Sequence, residues 1–204
     1  MLHYSSIYPR TLELLKSISS LGEFNDFALA GGTSLALQIG HRISVDLDFF
    51  SASGFEEEIL LQKLRERFSS IHILHQYKNS LNIVVNDART EFITHHYSLC
   101  KPVQLIDGIK LYSMQDIAAM KLSAVASRGS KKDFVDIYFL LQHFSLSEML
   151  EFMHAKYPEL NRMQVLMSLI YFEDAEIDIE PNMLIPADWN SIKELLKTEV
   201  RKLS

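Results

Sequence analysis

Between Phe27 and Phe50 the chain reads FALAGGTSLALQIGHRISVDLDFF, and this stretch limits the fold more than any other. The apolar run Phe27-Ala28-Leu29-Ala30 stops at Gly31-Gly32, as a buried strand does when it enters a tight turn. Thr33 or Ser34 is placed to cap a short helix that runs through Ile39 and closes at Gly40. Val45-Asp46-Leu47-Asp48-Phe49-Phe50 then reads as a second, largely buried strand.

On a strand, residues two apart point to the same face, so Asp46 and Asp48 present their carboxylates side by side. Two such charges among apolar neighbours repel, and desolvation adds to the cost. A divalent cation, an Arg or Lys partner, or an exposed strand end would relieve them. Mg²⁺ is a hard ion that takes one or two carboxylates plus substrate phosphates. The glycine turn adds a second requirement: a backbone without side chains can approach a phosphate, and the N–H groups at the helix start can bind it. A lone Gly-Gly marks a turn, and a lone Asp-x-Asp is most often solvated or salt-bridged. In this order and this close together, they are much more specific.

Elsewhere the pattern is α+β. Leu12, Leu15, Ile18 and Leu21 predict an amphipathic helix over Pro9 to Leu21, and Gly54 to Phe68 predicts another. Strands are expected at Ile71 to Tyr77, Leu81 to Val85 and Glu91 to His95, with turns at Asn86-Asp87 and Asp107-Gly108. From Ser113 the pattern turns helical, near 113–128, 132–143, 146–156, 161–172 and 188–203. Ser113 with Asp116 and Ser145 with Glu148 resemble capping boxes. The chain therefore reads as an α/β core over residues 1–112 and a helical half over 113–204 packed on it, with no boundary sharp enough to separate independent domains.

Composition narrows the class. At 204 residues, one core of real size can form. Twenty Lys and Arg against 26 Asp and Glu do not advertise a nucleic-acid binder, although a local basic groove would suffice. Cys100 is alone and reads as a passive thiol. No apolar run is long enough to span a membrane, and MLHYSSIYPRTLELL lacks the pattern of a secretion signal. A cytoplasmic protein is expected.

The Phe27–Phe50 stretch resembles the first motif of polymerase-β-type nucleotidyltransferases, and its wording is similar to the AbiEii/AbiGii toxin family of abortive-infection and toxin–antitoxin systems. A second segment, Ala119-Met120-Lys121-Leu122-Ser123-Ala124, then Arg128-Gly129, then Lys132-Asp133-Phe134-Val135-Asp136-Ile137-Tyr138, resembles that family's helical lysine followed by a basic-Asp-x-x-Asp helix. The resemblance implies a nucleotidyltransferase-like mixed sheet with flanking helices, followed by the helical half. It also implies Mg²⁺-dependent (or Mn²⁺-dependent) transfer of a nucleoside monophosphate from an NTP, with release of pyrophosphate.

Residue by residue, the resemblance assigns Gly31, Gly32, Thr33 and Ser34 to the nucleotide phosphates and Asp46 and Asp48 to the metal. Glu91 is the candidate third carboxylate, as metal ligand or general base, with Asp87 the alternative. Lys121 and Arg128, seven apart and near one helix face, could neutralise phosphate charge; alone, such residues read as solvated surface cations. Asp133 and Asp136 are three apart on one helix face, and one of them could fix Lys121 or Arg128 by an ion pair; the resemblance gives at least Asp136 a catalytic role, while Asp133 could simply favour the helix N-terminus. Arg42 could reach phosphates or pair with an acidic neighbour.

Other features read as structural. His95 and His96 are adjacent on a strand and face opposite sides, so joint metal ligation is not expected. His41 reads as a turn residue, the acidic run from Glu173 to Glu180 as a solvated loop, and Trp189 as a core anchor. The expected acceptor is tRNA or another RNA, helped by the +4 charge of the Lys121–Lys132 stretch, and a cognate antitoxin is the expected partner. A protein or small-molecule acceptor stays open, as does an inactive nucleotide-binding module working through a partner. A helical DNA-binding protein fits poorly, because no helix shows a concentrated basic face.

Overall fold

The computed structural model describes residues 1–203. The chain divides into two compact units, Met1–Tyr97 with Val103–Tyr112, and Ser98–Pro102 with Ser113–Ser204. The strap Ser98–Pro102, expected in the α/β half, therefore belongs with the helices.

The first unit holds strands β1 (Phe27–Leu29), β2 (Leu47–Ser51), β3 (Ile71–Tyr77), β4 (Ser80–Val85), β5 (Ala88–Thr94), β6 (Gln104–Ile106) and β7 (Ile109–Leu111). They form one mixed sheet in the order β3-β4-β5-β2-β1-β7-β6. β2 runs antiparallel to β1 and parallel to β5, and β7 runs parallel to β1. The short pair β6 and β7, on either side of Asp107-Gly108, was not expected. With three residues each, they are too short to show a two-residue period. Asn86 and Asp87 turn the β4–β5 hairpin with φ of 46° and 68°; a two-residue hairpin turn needs both in the left-handed region, and Asn and Asp enter it readily.

Helices α1 (Pro9–Ser19), α2 (Gly31–Ile39) and α3 (Glu57–Arg67) complete this unit. Pro9 opens α1 with its φ already set for a helix. Leu14, Leu15 and Ile18 of α1 and Leu60, Leu61 and Leu64 of α3 join Leu47, Phe49, Leu81, Ile83, Val85 and Phe92 of the sheet in one buried cluster. The Phe49 and Phe92 rings stack at 5.1 Å, and Phe27 meets Phe92 edge-on at 5.3 Å. Burying each such side chain contributes about 1.5–3 kcal/mol. Because side chains alternate along β2, burying Leu47 and Phe49 turns Asp48 and Phe50 to the opposite, half-open face. Val45, expected within this strand, precedes it and is exposed.

The second unit holds α4 (Met114–Ser127), α5 (Lys131–Leu140), α6 (Leu146–Lys156), α7 (Arg162–Ser168), α8 (Glu173–Glu176) and α9 (Trp189–Arg201). Ser145 and Glu148 form a full capping box at α6. At α4, Ser113 accepts from the Asp116 amide, while Asp116 accepts the Ser113 hydroxyl instead of closing a box. Asp116 also meets the buried Lys156 ammonium at 2.8 Å and accepts from the amides of Cys100 and Lys101, which pins the strap. The acidic run is not a simple solvated loop. It forms α8 and then ties down the neighbouring helices: Glu176 accepts from Trp189 and Lys193, and Asp178 and Glu180 accept from Lys131. Trp189 packs on Phe134 and Phe172, as a core anchor. No helix among the described residues is long and apolar enough to cross a membrane.

Candidate active site

Asp48 lies where α2 begins. Ala30 follows β1 in extended conformation and donates its amide to the Asp48 carbonyl at 2.8 Å. Gly31 follows with φ +64°, and a Cβ there would strike the Asp48 carboxylate. A glycine is thus required both for the backbone turn and for the close approach. α2 starts at Gly31, two residues before the expected cap, because Ala30 and Gly31 make the turn from strand to helix themselves.

Thr33 and Ser34 are consequently inside the helix and buried. The Thr33 hydroxyl donates to the Asp46 carbonyl and lies 2.8 Å from Ser44 Oγ, so it ties α2 to the segment leading into β2. Ser34 Oγ accepts from Gln38 at 3.2 Å. What this turn presents outward is the half-open Gly31-Gly32 backbone. Arg42 is also buried, donating to the Ile43 carbonyl, and His41 is fully buried.

In the parallel β2–β5 pairing, Asp48 stands in register with Glu91. Neighbouring strands are about 4.8 Å apart, so the two carboxylates rise from adjacent positions on one face. Asn82 of β4 is the next residue in that row, and its amide donates to Glu91 Oε1 at 3.5 Å. Asn82 was not anticipated; only the β4–β5 register places it beside Glu91. Asp87, the alternative third carboxylate, lies away from this row: it is exposed in the hairpin turn, about 13 Å along the strand from Glu91 at the usual rise per residue. Asp46 precedes β2 and is half-exposed. Among the described residues, no three His, Cys, Asp or Glu side chains converge closely enough to hold a metal ion. Asp46 and Asp48 are nonetheless hard oxygen donors, Asp48 beside an open glycine backbone, and such a set suits a divalent cation sharing its shell with phosphates.

The lysine of the second motif sits in a buried charge network of the helical unit. Lys121 Nζ is 2.8 Å from Asp133 and 2.6 Å from Asp136, with both carboxylates fully buried. Arg128 grips Asp133 through Nε at 2.8 Å and Nη2 at 3.0 Å, and Ser130 donates to it at 2.7 Å. Burial pushes the Asp133 carboxyl up, but the Lys121 charge and the Arg128 fork outweigh it and hold it at about 2. Asp133 therefore does more than favour a helix end, and Asp136 holds Lys121 in place. With Lys131 paired to Glu180 as well, most of the positive charge in the Lys121–Lys132 stretch is matched within the unit.

The family model described as nucleotidyl transferase AbiEii toxin, type IV toxin–antitoxin system, matches residues 13–97 and 80–202. The chain belongs to that family. This AbiEii nucleotidyltransferase is also 35% identical over 196 residues to an uncharacterized protein of Aquifex aeolicus, covering 93% of this chain and 94% of the relative. Its fold is similar to that of JHP933 from Helicobacter pylori, with TM-score 0.56 and 18% identity over 97% of this chain and 95% of that one. An antigenic nucleotidyltransferase-like protein from Paracoccidioides brasiliensis is similar at TM-score 0.50 and 19% identity, over 78% and 94% of the two chains. The mixed α+β architecture is that of nucleotidyltransferases, as the resemblance implied.

Proposed function

We propose that the protein moves a nucleoside monophosphate from an NTP to a hydroxyl of tRNA or another RNA, with Mg²⁺ or Mn²⁺ and with release of pyrophosphate. The observation that carries this is the Asp48 carboxylate, set against Gly31 at the α2 start on one side and beside Glu91 on the other. Asp46 and Asp48 would hold the divalent ion, which when bound supplies charge neutralisation and a lowered pKa for the attacking hydroxyl. The Gly31-Gly32 backbone and the first amides of α2 bind the phosphate tail, where the helix dipole favours negative charge. Glu91, oriented by Asn82, takes the proton from the acceptor hydroxyl. As a member of a type IV toxin–antitoxin family, the protein is proposed to act as a toxin beside a cognate antitoxin.

A second reading is a nucleotide-binding module without turnover. It draws on the absence, among the described residues, of a converging three-acid cluster. Purified protein incubated with Mg²⁺ and each α-labelled NTP decides between them, with separate samples of total RNA, deacylated tRNA, protein and no acceptor. Label in RNA that disappears in Asp46→Asn/Asp48→Asn is the expected result. Label on protein moves the acceptor to another class, and metal-dependent binding without label selects the binding module.

A further inference from the structure

A row of rings continues from the carboxylates along the same face of the sheet. Phe50 lies two residues past Asp48, its ring centroid 5.1 Å from that of His95 and 6.0 Å from that of Tyr112. His95 is in turn 5.0 Å from Tyr97. The row grades from closed to open: Tyr112 is buried, Phe50 and His95 are half-buried, and Tyr97 is 43% exposed. These rings do not belong to the large apolar cluster, which takes the opposite face of β2 through Leu47 and Phe49.

Position decides what the row can bind. On the function proposed above, the phosphate tail of an NTP would lie at the α2 start, on the Gly31 side of Asp48, and pyrophosphate would leave on that side. In phosphoryl transfer the attacking and leaving oxygens stand roughly in line, so the acceptor must approach from the other side. Along β2 away from Gly31, the next side chain on the Asp48 face is Phe50, and His95 and Tyr97 extend beyond it.

We infer that Phe50, His95 and Tyr97 form the acceptor subsite, on which the unpaired terminal base of a single-stranded RNA 3′ end stacks. Splayed bases at RNA ends are commonly held on Phe, Tyr and His faces, and stacking tolerates any base. A serine or threonine acceptor would bring no ring to this row. The subsite rests on the transfer chemistry proposed above. A ribose hydroxyl of the terminal nucleotide attacks the α-phosphorus and its proton passes to Glu91. The new O–P bond forms as the bond to the bridging oxygen breaks, and pyrophosphate leaves with that electron pair.

The test is binding of a short single-stranded RNA with a fluorescent base analogue at its 3′ end, because binding needs no turnover. Tyr97→Ala and Phe50→Leu, each checked for an unchanged melting profile, should weaken affinity about tenfold, the scale of losing one stacking ring. Tyr77→Ala, on the exposed far strand of the same sheet, should bind as the parent does. Equal affinity in all four proteins, or no RNA binding by the parent, overturns the subsite. So does a raised KM for NTP with RNA affinity unchanged, which would give the rings to the nucleotide's own base. Label transfer measured in parallel separates the two claims: transfer without ring-dependent RNA binding overturns the subsite alone, whereas ring-dependent binding without any transfer overturns the chemistry and, with it, the acceptor role of the rings.

Discussion

The Lys121 ammonium lies 2.6 Å from the Asp136 carboxylate, and Asp136 is fully buried while Lys121 is nearly so. Removing one member of such a pair leaves an uncompensated charge in the interior, which typically costs about 3–5 kcal/mol. Lys121→Met should therefore lower unfolding free energy by about that amount in urea titrations. Pairing it with Asp136→Leu should recover a substantial part. Near-parental stability of the single variant would remove the network from the account of the helical unit.

Acid should loosen the same network. Asp133 is held at about 2, below its ordinary 3.8, so it binds its proton more weakly folded than unfolded. Its contribution is complete above about pH 4 and is lost as pH falls toward 2. From the size of the shift it is worth about 2 kcal/mol. Urea midpoints measured from pH 6 to 2 should fall less steeply for Asp133→Asn than for the parent, whose extra stability at pH 6 disappears by pH 2.

Two glycines separate folding from function. Gly31 and Gly40 both have positive φ, at 64° and 69°, so alanine at either costs about 1–2 kcal/mol of backbone strain. For a chain of this size that lowers Tm by roughly 2–4 °C per kcal/mol. At Gly40 the new Cβ meets His3, away from the carboxylates, so Gly40→Ala should melt earlier yet keep nucleotide transfer. Gly31→Ala displaces Asp48 and should lose transfer about a hundredfold, as a small misplacement of a reacting group can.

Cys100 should be inert. Burial, followed by the Asp116 charge, pushes its thiol up to about 11, and the S–H donates to the Phe152 carbonyl. Since the thiolate is the reactive form, maleimide labelling at pH 7 should run roughly a hundredfold slower than for a free thiol. Labelling as fast as a small-molecule thiol would contradict this environment.

Local patterns carried much of the fold into view. The glycine turn, the apolar run before it and the Asp-x-Asp after it need only neighbouring residues, and so do the hairpin turn at Asn86-Asp87 and the Ser145–Glu148 box. The features that escaped depend on pairing across the chain. β6 and β7 gain their identity from the sheet, Asn82 from its register with Glu91, and Lys156 from Asp116 forty positions earlier. Thr33 and Ser34 misled because both are good caps, whereas Ala30 and Gly31 had already made the turn. The positive charge of Lys121, Arg128 and Lys131 counted toward a basic stretch because, although an ion pair from Asp133 or Asp136 was legible at helical spacing, the pairing of Glu180 with Lys131, 49 positions earlier, was not.

The proposed role of Asp48 is to support metal-dependent nucleotidyl transfer. Its most direct measurement is the rate at which α-labelled NTP enters RNA, with Mg²⁺ and with chelator, for the parent protein and for Asp48→Asn matched in melting temperature. Metal-dependent label in the parent and a loss of at least about a hundredfold in the variant are expected, the scale of removing one charge-stabilising group at a reacting centre. Transfer by folded Asp48→Asn at the parental rate would contradict it.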